Sequence, residues 1–160
     1  MTKKTNYILL FTLFIMASCS VDRDPCLLPK TTSLRVGAYQ IDTSGNKIDS
    51  VLAKPIWIAL RPDSLIGSIY YSSSKFSLLL SSIHDSCRYI LQPDSATASF
   101  DTLTFFYDRQ LQFLSNACGY TYYFNLTNIR STYNNIDSVK LTNPEVNTNA
   151  NTTEHVQIYF

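Results

Sequence analysis

Hydrophobic and polar positions along this chain fall into two regimes. Near the start, Tyr7 to Met16 form a mostly apolar run behind Lys3 and Lys4. From Leu34 onward the apolar period is two, the spacing of a strand with one buried face. Leu34, Val36 and Ala38 alternate with Arg35, Gly37 and Tyr39, and Asp42-Thr43-Ser44-Gly45-Asn46 supplies a turn. Pro55 to Leu60 is apolar on both faces and reads as a central strand. Phe76 to Leu80 and Arg88 to Gln92 are two further runs. Leu103 to Tyr107 and Leu111 to Leu114 flank Asp108-Arg109-Gln110, which reads as a hairpin turn. Tyr120, Tyr122, Phe124 and Leu126 share one face of the next run and are expected to face the core. Ile136 to Leu141 follows, then a polar loop from Thr142 to Thr153, then Val156 to Phe160, expected to be paired in a sheet. No segment has helical periodicity. The pattern predicts an all-β fold, a single antiparallel β-sandwich (immunoglobulin-like or jelly-roll-like) of about nine short strands.

The first apolar run is about half the length that a membrane-crossing helix needs. With two lysines before it and Ala17-Ser18-Cys19 after it, residues 1–18 read as a secretory signal peptide cleaved before Cys19. Such a cysteine is the bacterial acceptor for diacylglycerol, although Met16 stands where the cleavage motif usually has Leu. Cys19 is therefore the expected lipid attachment, residues 19–32 a polar, Pro-interrupted tether, and residues 33–160 the β domain. Acyl chains contribute roughly 0.8 kcal/mol per buried methylene, so two or three of them hold a domain on a membrane.

Composition supports the β reading. Tyr, Phe, Thr, Ser, Ile and Asn are plentiful, whereas Glu occurs only at Glu145 and Glu154. Of the thirteen Lys and Arg, cleavage removes Lys3 and Lys4, leaving eleven against twelve Asp and Glu. A chain so close to neutrality, without a basic stripe, gives no reason to expect a nucleic-acid partner. Once Cys19 is lipidated, Cys26, Cys87 and Cys118 remain in an oxidising compartment, and three cannot all pair within the chain. Cys87 lies in a strand-like run and reads as a buried small hydrophobe. The spacing fits no zinc pattern, so no metal or other cofactor is expected.

Candidate chemistry is sparse. His84-Asp85-Ser86-Cys87 sets the residue types of a nucleophilic site side by side, yet nucleophile and base must meet across space, and strand neighbours point to opposite faces. His155 is expected at an exposed strand end. The segment from Asp42 to Asp49 has a misplaced Gly and no bidentate Glu for a calcium loop, so it reads as a hairpin turn. Asp63, Asp94 and Asp108 are expected in turns. Tyr70, Tyr71, Tyr120, Tyr122, Tyr123 and Tyr133 could line a concave face for a glycan or lipid. Phe160 suits a barrel terminus, but the runs are shorter than the nine to eleven residues or so that a spanning strand needs.

Three stretches carry a family resemblance: Asp101-Thr102-Leu103-Thr104-Phe105-Phe106-Tyr107, Ala117-Cys118-Gly119-Tyr120, and Glu154-His155-Val156-Gln157-Ile158-Tyr159-Phe160, with Cys26 upstream. Together they resemble the domain of unknown function 6452 family, uncharacterised lipoproteins of Bacteroidota. The resemblance implies a lipid-anchored β domain and a Cys26–Cys118 disulfide, and it leaves Cys87 outside the pattern. Closing such a loop contributes at most about 4–5 kcal/mol. The family carries no activity to transfer; its implied partner is an outer-membrane β-barrel protein. Asp22 and Asp24, just behind Cys19, resemble the surface-export signals of some such lipoproteins. The expected function is thus a non-enzymatic interaction or accessory module on the periplasmic or surface face of the outer membrane. The alternative is a lipoprotein that holds a glycan or lipid on an aromatic face. A hydrolase would require His84 or His155 to meet a Ser or Cys.

Overall fold

The computed structural model describes residues 25–60, 65–148 and 153–160. Residues 1–18, read from sequence as a signal peptide, and Cys19, Asp22, Asp24 and Asp63 lie outside the described residues. Eleven strands are described and no helix: β1 Leu34–Ile41, β2 Lys47–Asp49, β3 Ile56–Leu60, β4 Leu65–Ile69, β5 Lys75–Leu78, β6 Ser86–Gln92, β7 Asp101–Ser115, β8 Gly119–Ser131, β9 Ser138–Leu141, β10 Glu145–Val146 and β11 Val156–Tyr159. Among the described residues no helix is long and apolar enough to cross a membrane.

Two sheets result. One runs β10-β8-β7-β6-β3-β4, antiparallel throughout. The other runs β2-β1-β11-β9, with β5 also pairing β1. Alternation sends Leu34, Val36 and Ala38 of β1, Phe76 and Leu78 of β5, and Val156 and Ile158 of β11 into one buried cluster. Trp57, Tyr89, Leu91, Leu103, Phe105, Tyr107, Phe124 and Leu126 of the first sheet enter the same cluster. Trp57 meets Phe76 across the sheets, with ring centroids 5.5 Å apart.

Three expectations are corrected here. The pairing of β1 with β11 is parallel, Val36 opposite Val156 through Tyr39 opposite Tyr159, so the second sheet is mixed. Parallel neighbours need a long connection, and here almost the whole domain lies between them. Asp108-Arg109-Gln110 is no turn: β7 runs straight through it, paired with Asn125, Phe124 and Tyr123 of β8. None of those three residues is a Gly, Pro or Asn; the turn falls at the end of β7, where Gly119 takes φ 71°. The row of Tyr120, Tyr122, Phe124 and Leu126 does share a face, but only Phe124 and Leu126 are buried, and Tyr120 is 63% exposed. The long β7–β8 ribbon outruns the core.

The stretch after Pro25 is fastened to that ribbon. Cys26 and Cys118 form a disulfide. The Thr121 hydroxyl donates to the Lys30 carbonyl at 2.5 Å, and the Thr32 hydroxyl to the Tyr122 carbonyl at 3.1 Å.

Candidate functional site

On the outer face of the mixed sheet, the residues that alternate with the core rows come together. The parallel register sets Gly37 beside Gln157 and Tyr39 beside Tyr159, and the antiparallel one sets Lys75 on the other side of Gly37. Glu154, just before β11, lays its carboxylate over Gly37. A Cβ on Gly37 would sit 2.1 Å from Glu154 Oε2 and 2.7 Å from Tyr39 Cε2, so only glycine leaves the room.

The carboxylate is held from three sides. The Tyr39 hydroxyl donates to Oε2 at 2.7 Å, Lys75 Nζ donates to Oε2 at 3.0 Å, and Gln157 Nε2 donates to Oε1 at 2.7 Å. Lys75 also donates to the Tyr39 hydroxyl and, at 3.3 Å, to Asp49 Oδ1. The Tyr159 hydroxyl donates to Gln157 Oε1 at 2.9 Å, and Lys47 and Lys75 flank the Tyr39 ring, 4.2 and 4.1 Å from its centroid. Burial alone raises the pKa of Glu154, but the bonds from Tyr39, Gln157 and Lys75 outweigh it and hold the carboxyl below its ordinary value. Burial likewise lowers that of Lys75, and its Tyr39 and Glu154 partners more than reverse the effect. Tyr39 is pushed up, mainly by burial, with Lys75 opposing and Glu154 assisting.

Beside this cluster runs an open groove of about 540 Å³, walled by Arg35, Tyr39, Tyr70, Lys75, Ser77 and Glu154. Its volume lies in the range of small-ligand clefts. Lys75 is paired with Glu154 and Asp49, so the groove offers shape, aromatic rings and fixed hydrogen-bonding groups, with Arg35 in its wall. Among the described residues no group of three or more His, Cys, Asp or Glu is placed to hold a metal ion.

The residues singled out from sequence fall elsewhere. His84 is exposed in a loop, and Asp85 pairs with Arg109 at 2.6 Å while Arg109 also donates to the Ser82 carbonyl at 2.8 Å. Cys87 is half-buried against the core rather than fully enclosed. His155, expected at an exposed strand end, is fully buried. Its Nδ1 accepts the Arg35 amide at 2.9 Å, its own amide donates to the Arg35 carbonyl at 3.0 Å, and its carbonyl accepts the amides of Thr142 and Asn143. Its backbone is thus bonded on both sides, donating to Arg35 of β1 and accepting from the two residues that follow Leu141 of β9. The Asp42 carboxylate accepts the amides of Ser44 at 2.9 Å and Asn46 at 2.7 Å, as a turn requires. Asp94 likewise accepts the Ala96 amide at 3.0 Å, whereas Asp108 is an exposed strand residue, which corrects the turn expected there. The six tyrosines do not make one face. Tyr70 walls the groove, Tyr71 and Tyr133 are exposed on loops, Tyr120 and Tyr122 share one face of β8, and Tyr123 points to the other.

Sequence reasoning missed the Tyr39–Lys75–Glu154 cluster. The one signal was Gly37 among outward-facing residues of a good strand, where a glycine marks close approach of another group.

Fold and site together define an all-β domain of two sheets with a pre-organised polar and aromatic outer face. The chain belongs to a family of unknown function, DUF6452, whose model matches residues 40–160. Cys118, Lys75 and Glu154 fall inside the matched span, and Cys26, Gly37 and Tyr39 precede it. No curated protein and no solved structure matches the chain.

Proposed function

We propose that this protein is a lipid-anchored, non-enzymatic accessory module of the bacterial outer envelope, which recognises a protein partner through the groove beside Glu154. The two sheets feed one core cluster, which supports reading the domain as a single sandwich on a tether from Cys19. One observation carries the recognition reading: an outward sheet face holds a hydrogen-bonded constellation for which Gly37 keeps room. Side chains locked before binding lose little freedom on binding, which favours recognition. A general base for catalysis needs a substrate proton within reach, and here the carboxylate is already occupied on both oxygens.

A photo-crosslinking residue at the exposed Ser77, in the native membrane, tests this. It is expected to capture one envelope protein, an outer-membrane β-barrel being the expected kind, while the same residue at Tyr133 captures none. Equal capture at both positions contradicts the assignment of the groove. A second reading has its own support: Tyr39 and Tyr70 beside Arg35, Lys75 and Glu154 suit stacking and hydrogen bonding to a sugar. A glycan co-purifying with the wild type and lost in Tyr70→Ala, with no protein captured from Ser77, selects it.

A further inference from the structure

The inner face of the β7–β8 ribbon continues past the buried core, interrupted once by Arg109, which lies opposite Phe124 and pairs with Asp85, and it is apolar again beyond that point. On β7 it runs from Leu103, Phe105 and Tyr107, all buried, to Leu111 and Phe113, which are 56% and 47% exposed. On β8 the same face passes from Leu126 and Phe124 to Tyr122 and the exposed Tyr120. Registers set Leu111 opposite Tyr122 and Phe113 opposite Tyr120, and the latter rings lie 5.2 Å apart. The exposed Leu27 and Leu28 follow Cys26 at the same end. From Gln110 to Ile129 the chain carries no charged side chain at all. An outward-reaching ribbon with aromatic and amide groups but no charge has the composition of a membrane interface, where Tyr, Trp and Phe are favoured and charges are costly.

The occupant of this face is set by where the chain leads. The disulfide pins Cys26 to the ribbon end, and seven residues back is Cys19. A fully extended chain of that length spans no more than about 25 Å. A lipid on Cys19 therefore keeps the bilayer surface within about 25 Å of the ribbon end. A second copy is a poor occupant, since a stable interface buries about 800 Å² on each partner and a few half-exposed side chains offer less.

We propose that the ribbon end, through Leu111, Phe113 and Tyr120, rests in the interfacial layer of the membrane that holds the Cys19 lipid. This seats the domain in a fixed orientation with the rest of its surface directed away from the bilayer. The inference rests on lipidation of Cys19.

The test uses the full-length chain, matured in a bacterial host and reconstituted in phosphatidylethanolamine–phosphatidylglycerol vesicles with brominated acyl chains. Trp57 is buried and gives a constant background. Phe113→Trp is expected to lose roughly half of its added emission to bromine quenching and to shift to the blue. Tyr133→Trp, exposed beyond the opposite end of β8, is expected to stay unquenched. Mass spectrometry of the N-terminal peptide from the same sample reports the lipid. A lipidated chain whose Phe113→Trp emission stays unquenched overturns the proposal and leaves lipidation standing; an unlipidated mature chain overturns both. Equal quenching at both positions also overturns it, since no orientation is then fixed. A blue shift without vesicles that grows with protein concentration overturns it in favour of a second copy.

Discussion

At Gly37 a missing side chain decides what the outer face can be. The carboxylate of Glu154 fills the space a Cβ would take, and Tyr39, Lys75 and Gln157 keep it there. Gly37→Ala is expected to lower stability by roughly 1–3 kcal/mol, the usual cost of overpacking. In a Glu154→Ala background the penalty should shrink, because the nearest clash is with the carboxylate, while the contact with the Tyr39 ring remains. Denaturant unfolding of the four chains measures this, and an equal penalty in both backgrounds contradicts it. His155 makes a second residue-level prediction. Burial is the largest influence on it and holds its pKa below 6.5, with the Arg35 charge adding to the effect and the Glu145 backbone and Glu154 opposing it. Below pH 6.5 the unfolded chain takes up a proton that the folded chain resists. The stabilisation is complete above that value and is lost as pH falls toward the folded pKa. Thermal melts between about pH 7 and pH 5 should show falling stability for the wild type and a flatter profile for His155→Gln. Parallel profiles for the two chains contradict the assignment.

Among the elements, β7 shows how an interior charge can order a loop. Asp101 opens the strand fully buried, and its carboxylate accepts the Thr132 hydroxyl at 2.8 Å and the amides of Asn134, Asn135 and Ile136 at 2.7, 2.8 and 3.2 Å. Burial raises its pKa, but those bonds outweigh it and the pKa is lowered. Asp101→Ala leaves the amides of the 132–136 loop without a partner and is expected to cost about 3 kcal/mol in denaturant unfolding. A change below about 1 kcal/mol contradicts that role. Since its folded pKa is depressed, the carboxylate stabilises the fold above its ordinary value of 3.8 and ceases to do so as pH falls through the folded one. In the turn that follows the same strand, Cys118→Ser should lower the melting temperature under oxidising conditions, by at most the equivalent of about 4–5 kcal/mol. An unchanged melting point contradicts a stabilising disulfide. These elements differ in how far sequence alone revealed them. The core row of β1 was legible because period-two alternation survives wherever one face is buried, whereas β3 was legible only as an apolar run and its buried pair, Trp57 and Ala59, was not singled out by alternation. The continuity of β7 was not legible, because polar residues at Asp108-Arg109-Gln110 look alike in a turn and in a ribbon that has left the core. The Glu154 cluster was hidden for another reason. Its members are brought together by the parallel β1–β11 and the antiparallel β1–β5 registers, and alternation says nothing about which strands become neighbours.

For the molecule as a whole, the picture is a near-neutral two-sheet domain fastened at one ribbon end to its own leading segment. The groove lies on the outer face of the mixed sheet and the apolar strip on the inner face of the ribbon, so the proposed membrane seating and the proposed partner recognition use separate surfaces. The proposed seating rests on lipidation of Cys19. The most direct measurement is the intact mass of the mature protein extracted from its native membrane. The expected chain begins at Cys19 and carries diacylglycerol, with Cys26 and Cys118 oxidised to one another. A chain that begins elsewhere, or begins at Cys19 without lipid, contradicts the anchored module.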